Sequence, residues 1–259
     1  MKACRVVWRV AVLALVAGLE VVAVWAQGYA IAAVPSAAVG RARQAVLRAS
    51  CANNLKQLAL VLKMFANESK RSYYPRLSPE AGRLMFANEA EDMKPVYPEY
   101  MTDMFVMICP AGPQAGLLEK PDTKSDPKVL IDDLSYFYLG YVIRNEADMK
   151  AFAEAYKVRV AKGLKFDEDL DTPQGKLYLL REGVERSLVK KSNDPAEWAR
   201  MQAETPVLIE RLGHHEPEGS NVLFMDGHVE FLRYDTKWPM TKATMDVLKS
   251  LDEMKNGGK

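Results

Sequence analysis

The sequence predicts an α+β fold in which a long N-terminal helix, its first part transmembrane, packs against an antiparallel β-sheet that includes a C-terminal hairpin. Three observations predict it. An apolar run from Val10 to Val34 leads into a segment with helical periodicity, apolar residues alternate on both sides of Asp226-Gly227, and 49% hydrophobic content with four Trp and eleven Tyr argues for a packed core rather than disorder. The 259 residues suffice for one sizeable domain plus an anchor.

Lys2, Arg5 and Arg9 precede the apolar run. At about 1.5 Å rise per residue, Val10 to Val34 is long enough to cross a hydrocarbon core of about 30 Å. The basic flank predicts an inside N-terminus and an exported C-terminal body. Glu20 opposes insertion by roughly 2.5 to 3.5 kcal/mol on translocon scales for an acid near mid-bilayer, and Gln27 and Gly28 weaken the span further. The alternative is a cleaved signal peptide, with Val10 to Val24 as its apolar region and Val24-Trp25-Ala26 as its cleavage site, which gives a secreted or periplasmic protein. The expected organisation is therefore a membrane anchor or signal segment over 1–34, an amphipathic spine helix over 35–70 and an exported globular domain over 71–259.

In the spine, Leu47, Cys51, Leu55, Leu58, Leu62 and Phe65 recur at helical spacing while Arg48, Lys56, Lys63 and Asn67 occupy other faces. Tyr73-Tyr74-Pro75 is read as its end, and Pro79, Pro95 and Pro98 punctuate an irregular region. Met104 to Ile108 reads as a short buried strand and Ser135 to Ile143 as an aromatic one. Asn145 is placed as the cap of a helix reaching Arg159, with Phe152 and Tyr156 at i,i+4. Lys176 to Leu180 reads as a further strand, Asp194-Pro195 as the start of a short helix, Thr205 to Glu210 as the lead into the hairpin and Thr241 to Met254 as a terminal helix. Asp167-Glu168-Asp169-Leu170-Asp171 has the carboxylates of a calcium loop but lacks the glycine and distal glutamate of an EF-hand, so it reads as a solvated acidic loop.

The segment Gly213 to Tyr234, GHHEPEGSNVLFMDGHVEFLRY, holds all three histidines of the chain. A two-residue type I′ turn at Asp226-Gly227 would set Met225 opposite His228, Phe224 opposite Val229, Leu223 opposite Glu230 and Val222 opposite Phe231. Val222, Phe224, Val229 and Phe231 then share a core face, and His228 and Glu230 stand together on the other. With His215 from the preceding loop, those two form a candidate surface or metal site for a divalent ion. The plainer alternative makes Asp226-Gly227 turn chemistry and His228 a half-exposed strand residue. No nucleophile elbow, phosphate-binding loop, dinucleotide fingerprint or zinc-protease helix is present, and no catalytic residue is assigned.

These residues carry a resemblance. Asn221, Val222, Leu223, Phe224, Asp226, Gly227, His228 and Val229 resemble the C-terminal signature of the prepilin-type family named for an H-x(9)-D-G motif. Ten residues separate His215 from Asp226 and eleven separate His214 from it, against nine in the family pattern. Arg41-Ala-Arg-Gln, Ala49-Ser-Cys-Ala-Asn-Asn-Leu-Lys-Gln-Leu and Met64-Phe-Ala-Asn-Glu resemble the helix after the membrane segment in that family, and Cys109-Pro110 and Ser135-Tyr-Phe-Tyr-Leu-Gly-Tyr141 resemble weaker elements. Gly18-Leu19-Glu20 is the nearest approach to the pilin processing motif, without its Phe-Thr. The resemblance implies a pseudopilin-like protein of a bacterial-type cell envelope, single-pass in the inner membrane with its C-terminal domain outside the cytoplasm.

Cys4 precedes the membrane segment, whereas Cys51 and Cys109 fall in the exported body, where two thiols in an oxidising space point to a Cys51–Cys109 disulfide. With 35 Lys plus Arg against 34 Asp plus Glu, the chain has no net field to recruit nucleic acid. The expected function is structural, in assembly or binding, with the membrane and lateral protein partners or a second copy meeting the N-terminal helix. The alternative is a metal-assisted hydrolase built on His214 or His215, Asp226, His228 and Glu230.

Overall fold

Helix α1 (Ser36–Glu68) spans 33 residues of a computed structural model that describes residues 36–79, 96–117, 135–189, 194–215 and 218–256. The apolar run Val10 to Val34 and Cys4 lie outside the described residues. Among the described residues no helix is long and apolar enough to cross a membrane. Two units divide the chain, residues 1–46 and 47–259, so their boundary falls inside α1. The reason is packing. Cys51, Leu55, Leu58, Leu62 and Phe65 are buried in the core of the larger unit, which makes residues 47–68 part of the globular body. In the smaller unit, residues 39–46 are exposed. Ser69 closes α1 by donating its hydroxyl to the carbonyls of Ala66 and Tyr73, and Arg71 and Ser72 then turn the chain at positive φ.

The larger unit is built on a four-stranded antiparallel sheet. Its strands β1 (Tyr136–Tyr138), β4 (Pro206–Glu210), β5 (Gly219–Phe224) and β6 (Val229–Arg233) stand in the order β1-β4-β5-β6. A separate two-stranded ribbon pairs β2 (Leu170–Thr172) with β3 (Gly175–Leu177). Its longer helices after α1 are α2 (Glu146–Ala161), α3 (Pro195–Glu204) and α4 (Lys242–Asn256). Capping follows the sequence, because Asn145 accepts from the Asp148 N–H and Asp194 accepts from the Ala196 N–H beside Pro195 at the first turn. Phe152 and Tyr156 meet one turn apart on α2, ring centroids 6.0 Å apart, and Phe166 stacks on Tyr156. Each of these fully buried rings contributes on the order of 1.5–3 kcal/mol of burial.

Three expectations are corrected. Met104 to Ile108 is a 3₁₀ turn over Met104–Met107, capped by the Asp103 carboxylate on the Phe105 N–H; a short buried apolar run is compatible with either backbone. Only Tyr136–Tyr138 of the aromatic segment pairs in the sheet, because the chain turns at Gly140 and Tyr141 makes an isolated bridge to Leu179. The hairpin register is one residue from the expected one. Val222 opposes Glu230 and Leu223 opposes Val229, while Phe224 N–H bonds to His228 O and Gly227 N–H to Phe224 O. The loop is thus three residues long, with Gly227 alone at positive φ (94°), the pattern of a turn followed by a glycine bulge. Asp226 accepts from the His228 N–H, which stabilises this turn. Strand β5 is central and buried on both faces, so alternation does not discriminate between the two registers. At the far end of the hairpin, a Cβ on Gly219 would overlap Leu232 O, so the β5–β6 approach there requires glycine.

The acidic loop does not converge. Glu168 pairs with Arg159 (2.8 Å), Asp169 accepts from the Leu179 N–H (2.9 Å) and Asp171 pairs with Lys176 (3.2 Å).

Candidate functional site

Four chain segments bring one group together. Cys51 comes from α1, Cys109 from the segment after the 3₁₀ turn, Glu210 from the end of β4 and His215 from the loop leading to β5. Their donor atoms lie within 4.8 Å of one another and all four residues are buried; among the described residues no other His, Cys, Asp or Glu joins such a cluster. The two sulfurs are 2.7 Å apart, so the two cysteines expected to pair are brought side by side. The Cys109 thiol donates to Glu210 Oε1 (2.6 Å), and His215 Nε2 stands 3.3 Å from the same oxygen without the alignment of a hydrogen bond.

A supporting layer holds the carboxylate still. Asn221 donates both its backbone N–H (3.1 Å) and its side-chain Nδ2 (3.0 Å) to Glu210 Oε2, and Nδ2 also reaches Arg48 O on α1 (3.3 Å). Oε1 is left facing the sulfurs and the imidazole. Ser135 Oγ accepts from the Cys109 N–H, and Asn54 Nδ2 donates to Ile108 O, which fastens the Cys109 segment to strand and helix. His215 lies edge-on to Phe231, over which Arg48 sits at 5.0 Å, and Arg48 also pairs with Glu218.

The electrostatics follow from these contacts. For Glu210, burial raises the carboxyl, but His215, the Cys109 thiol and the Asn221 amide outweigh it and leave its pKa below the ordinary value. Burial likewise disfavours charge on His215, yet Cys51 and Glu210 lift it to about 9. The contact with Cys109 lowers the Cys51 thiol against its burial, with help from His215, whereas Cys51, burial and Glu210 all raise Cys109. Burial depresses neighbouring His214 to about 4.

The grouping of His215, His228 and Glu230 expected from the sequence is not assembled. His228 Nδ1 pairs with Asp226 (2.6 Å) and its ring stacks on Phe224 (centroids 4.4 Å), while Glu230 pairs with Lys237 (2.8 Å). Strand alternation explains the separation, because Phe231 presents the face of β6 that meets His215 and puts Glu230 on the opposite one. His214 lies against Gly112 instead of facing Asp226. Glu210 enters from sequence only as the end of a strand. The signal that marks it is a carboxylate closing the otherwise apolar run PVLIE, five residues before His215. No family model, curated protein or solved structure matches this chain.

Proposed function

We propose that the chain is a pilin-like envelope protein, anchored by its N-terminal segment, whose exported body assembles with or binds other proteins without catalysing a reaction. The observation that carries this reading is the outward face of α1 in the larger unit, where Leu60 (65% exposed) and Met64 (46%) sit one turn apart. Apolar side chains left in water at that spacing favour a lateral partner. The signature residues support the same reading: Asn221 ties Glu210 to α1 and Asp226 holds the hairpin turn, so both act on the chain's own framework.

Fractionation of the native envelope with mapping of the mature N-terminus tests the reading. A detergent-released membrane protein that keeps residues 10–34, and whose Leu60→Cys variant cross-links to a neighbour, is the expected result. A detergent-independent soluble protein beginning at Gln27 would replace it with the secreted alternative. Hydrolytic turnover lost on His228→Ala in a folded variant would move it to the enzyme class.

A further inference from the structure

We propose that Cys51, Cys109, Glu210 and His215 form a closed four-ligand site for zinc or a similar thiophilic divalent ion, which clamps α1 to the end of the sheet. The inference is independent of membrane anchoring. Two sulfurs, one imidazole nitrogen and one carboxylate oxygen are a donor set suited to tetrahedral zinc and unsuited to calcium or magnesium, which take oxygen ligands. Metal–ligand bonds of about 2.0–2.3 Å place tetrahedral donors roughly 3.2–3.8 Å apart. The four atoms already lie within 4.8 Å, and the closest pairs, at 2.7 and 2.6 Å, need to open by about 1 Å, within reach of small side-chain rotations.

Two further observations favour an ion over a simple thiol pair or a disulfide. Both ring nitrogens of His215 are buried with no hydrogen-bond partner, and a ligating Nε2 would satisfy the one that faces Glu210 and the sulfurs. The Glu210 carboxylate is also held by Asn221 with Oε1 turned toward the sulfurs, the second-layer orientation typical of a metal ligand. Both a disulfide and an ion remove the Cys109 S–H that Glu210 Oε1 accepts from, but only the ion supplies Oε1 with a new partner. Ion binding releases the two thiol protons, and one proton from a protonated His215, to solvent; it gives both sulfurs, Glu210 Oε1 and His215 Nε2 a common partner and leaves the imidazole proton on Nδ1. With all four residues buried, no coordination position opens to substrate, so the site is structural.

The test uses the full chain in a Cys4→Ser background, purified under reductant without chelators, with metal content measured first. After chelation the protein is titrated with cobalt(II) and then with zinc. The expected results are about one zinc per chain, one cobalt with a tetrahedral thiolate charge-transfer spectrum, and displacement of that cobalt by zinc. Cys51→Ser and Glu210→Gln should weaken cobalt at least tenfold while His228→Ala binds as the parent does. Should the site variants fail to fold, the cobalt spectrum of the parent decides. Absence of that spectrum in reduced, folded protein overturns the proposal. So does equal binding by folded Cys51→Ser, or recovery of Cys51 linked to Cys109 from the native envelope.

Discussion

Two histidines of the Gly213–Tyr234 segment each stand beside a carboxylate, His215 by Glu210 and His228 by Asp226, and the two pairs serve opposite ends. At the His215 end the pair is buried, its carboxylate is gripped by Asn221, and four chain segments converge on it. At the His228 end the pair is closer, 2.6 Å, but about a third exposed or more on each side chain, and both residues belong to one turn. The short contact is therefore the weaker structural element. An exposed pair is screened by water and contributes at most about 1 kcal/mol, whereas a buried charge that loses its partner costs several. Proximity in sequence and closeness in space both point to the turn; burial points to the other end.

The comparison breaks most sharply at Glu210. Glu210→Ala strands His215 and both Asn221 donors, and should cost about 3–5 kcal/mol in denaturant unfolding; a change under about 1 kcal/mol would mean that the cluster bears no structural load. Burial also governs the tyrosines of the larger unit. It is the main cause that raises Tyr74, Tyr136, Tyr138 and Tyr141 above the ordinary value, with Glu182 adding to it at Tyr74. Groups whose folded pKa is raised stabilise the fold fully below the unfolded value of about 10 and lose that contribution as pH climbs beyond it, by about 1.4 kcal/mol per pH unit for each tyrosine. Tyrosinate absorbance should therefore rise cooperatively with unfolding above pH of about 10, and a smooth, independent titration in folded protein would contradict the packing.

At the turn the backbone matters more than the ion pair. Gly227→Val places a β-branched residue at φ 94° and should cost about 1–3 kcal/mol, although nothing lies near its Cβ, while Asp226→Asn keeps an acceptor for the His228 N–H and should cost less than about 1. Equal unfolding midpoints for the two variants would refute the three-residue loop. Lys237→Ala removes only the exposed partner of Glu230, and its effect should stay within about 0.5 kcal/mol in the same assay.

What was legible in the sequence was whatever local chemistry dictates. The α1 stripe, the caps at Asn145 and Asp194, and the existence of the hairpin follow from periodicity and short-range hydrogen bonding. The hairpin register was not legible, because Val222, Leu223 and Phe224 are all buried and either face of β5 satisfies the apolar pattern. The cluster was half legible. Cys51 and Cys109 stood out as a pair by residue type and His215 by the signature, but Glu210 and the role of Asn221 depend on contacts among segments up to 173 residues apart in number, from Arg48 to Asn221. His228 and Glu230 drew attention by their spacing on one strand, and tertiary packing gave each a different partner.

The claim that the buried end of the segment carries the framework while the turn end is local is tested most directly by unfolding Asn221→Ala and His228→Ala side by side under reducing, metal-free conditions. Asn221→Ala takes the hydrogen bonds on Glu210 Oε2 from two to one, that of the backbone N–H, and removes the side-chain tie to Arg48 O on α1. The account predicts a loss of about 1.5–3 kcal/mol for Asn221→Ala and under about 1 kcal/mol for His228→Ala, with unchanged denaturant slopes. Equal losses, or a larger loss for His228→Ala, would contradict it.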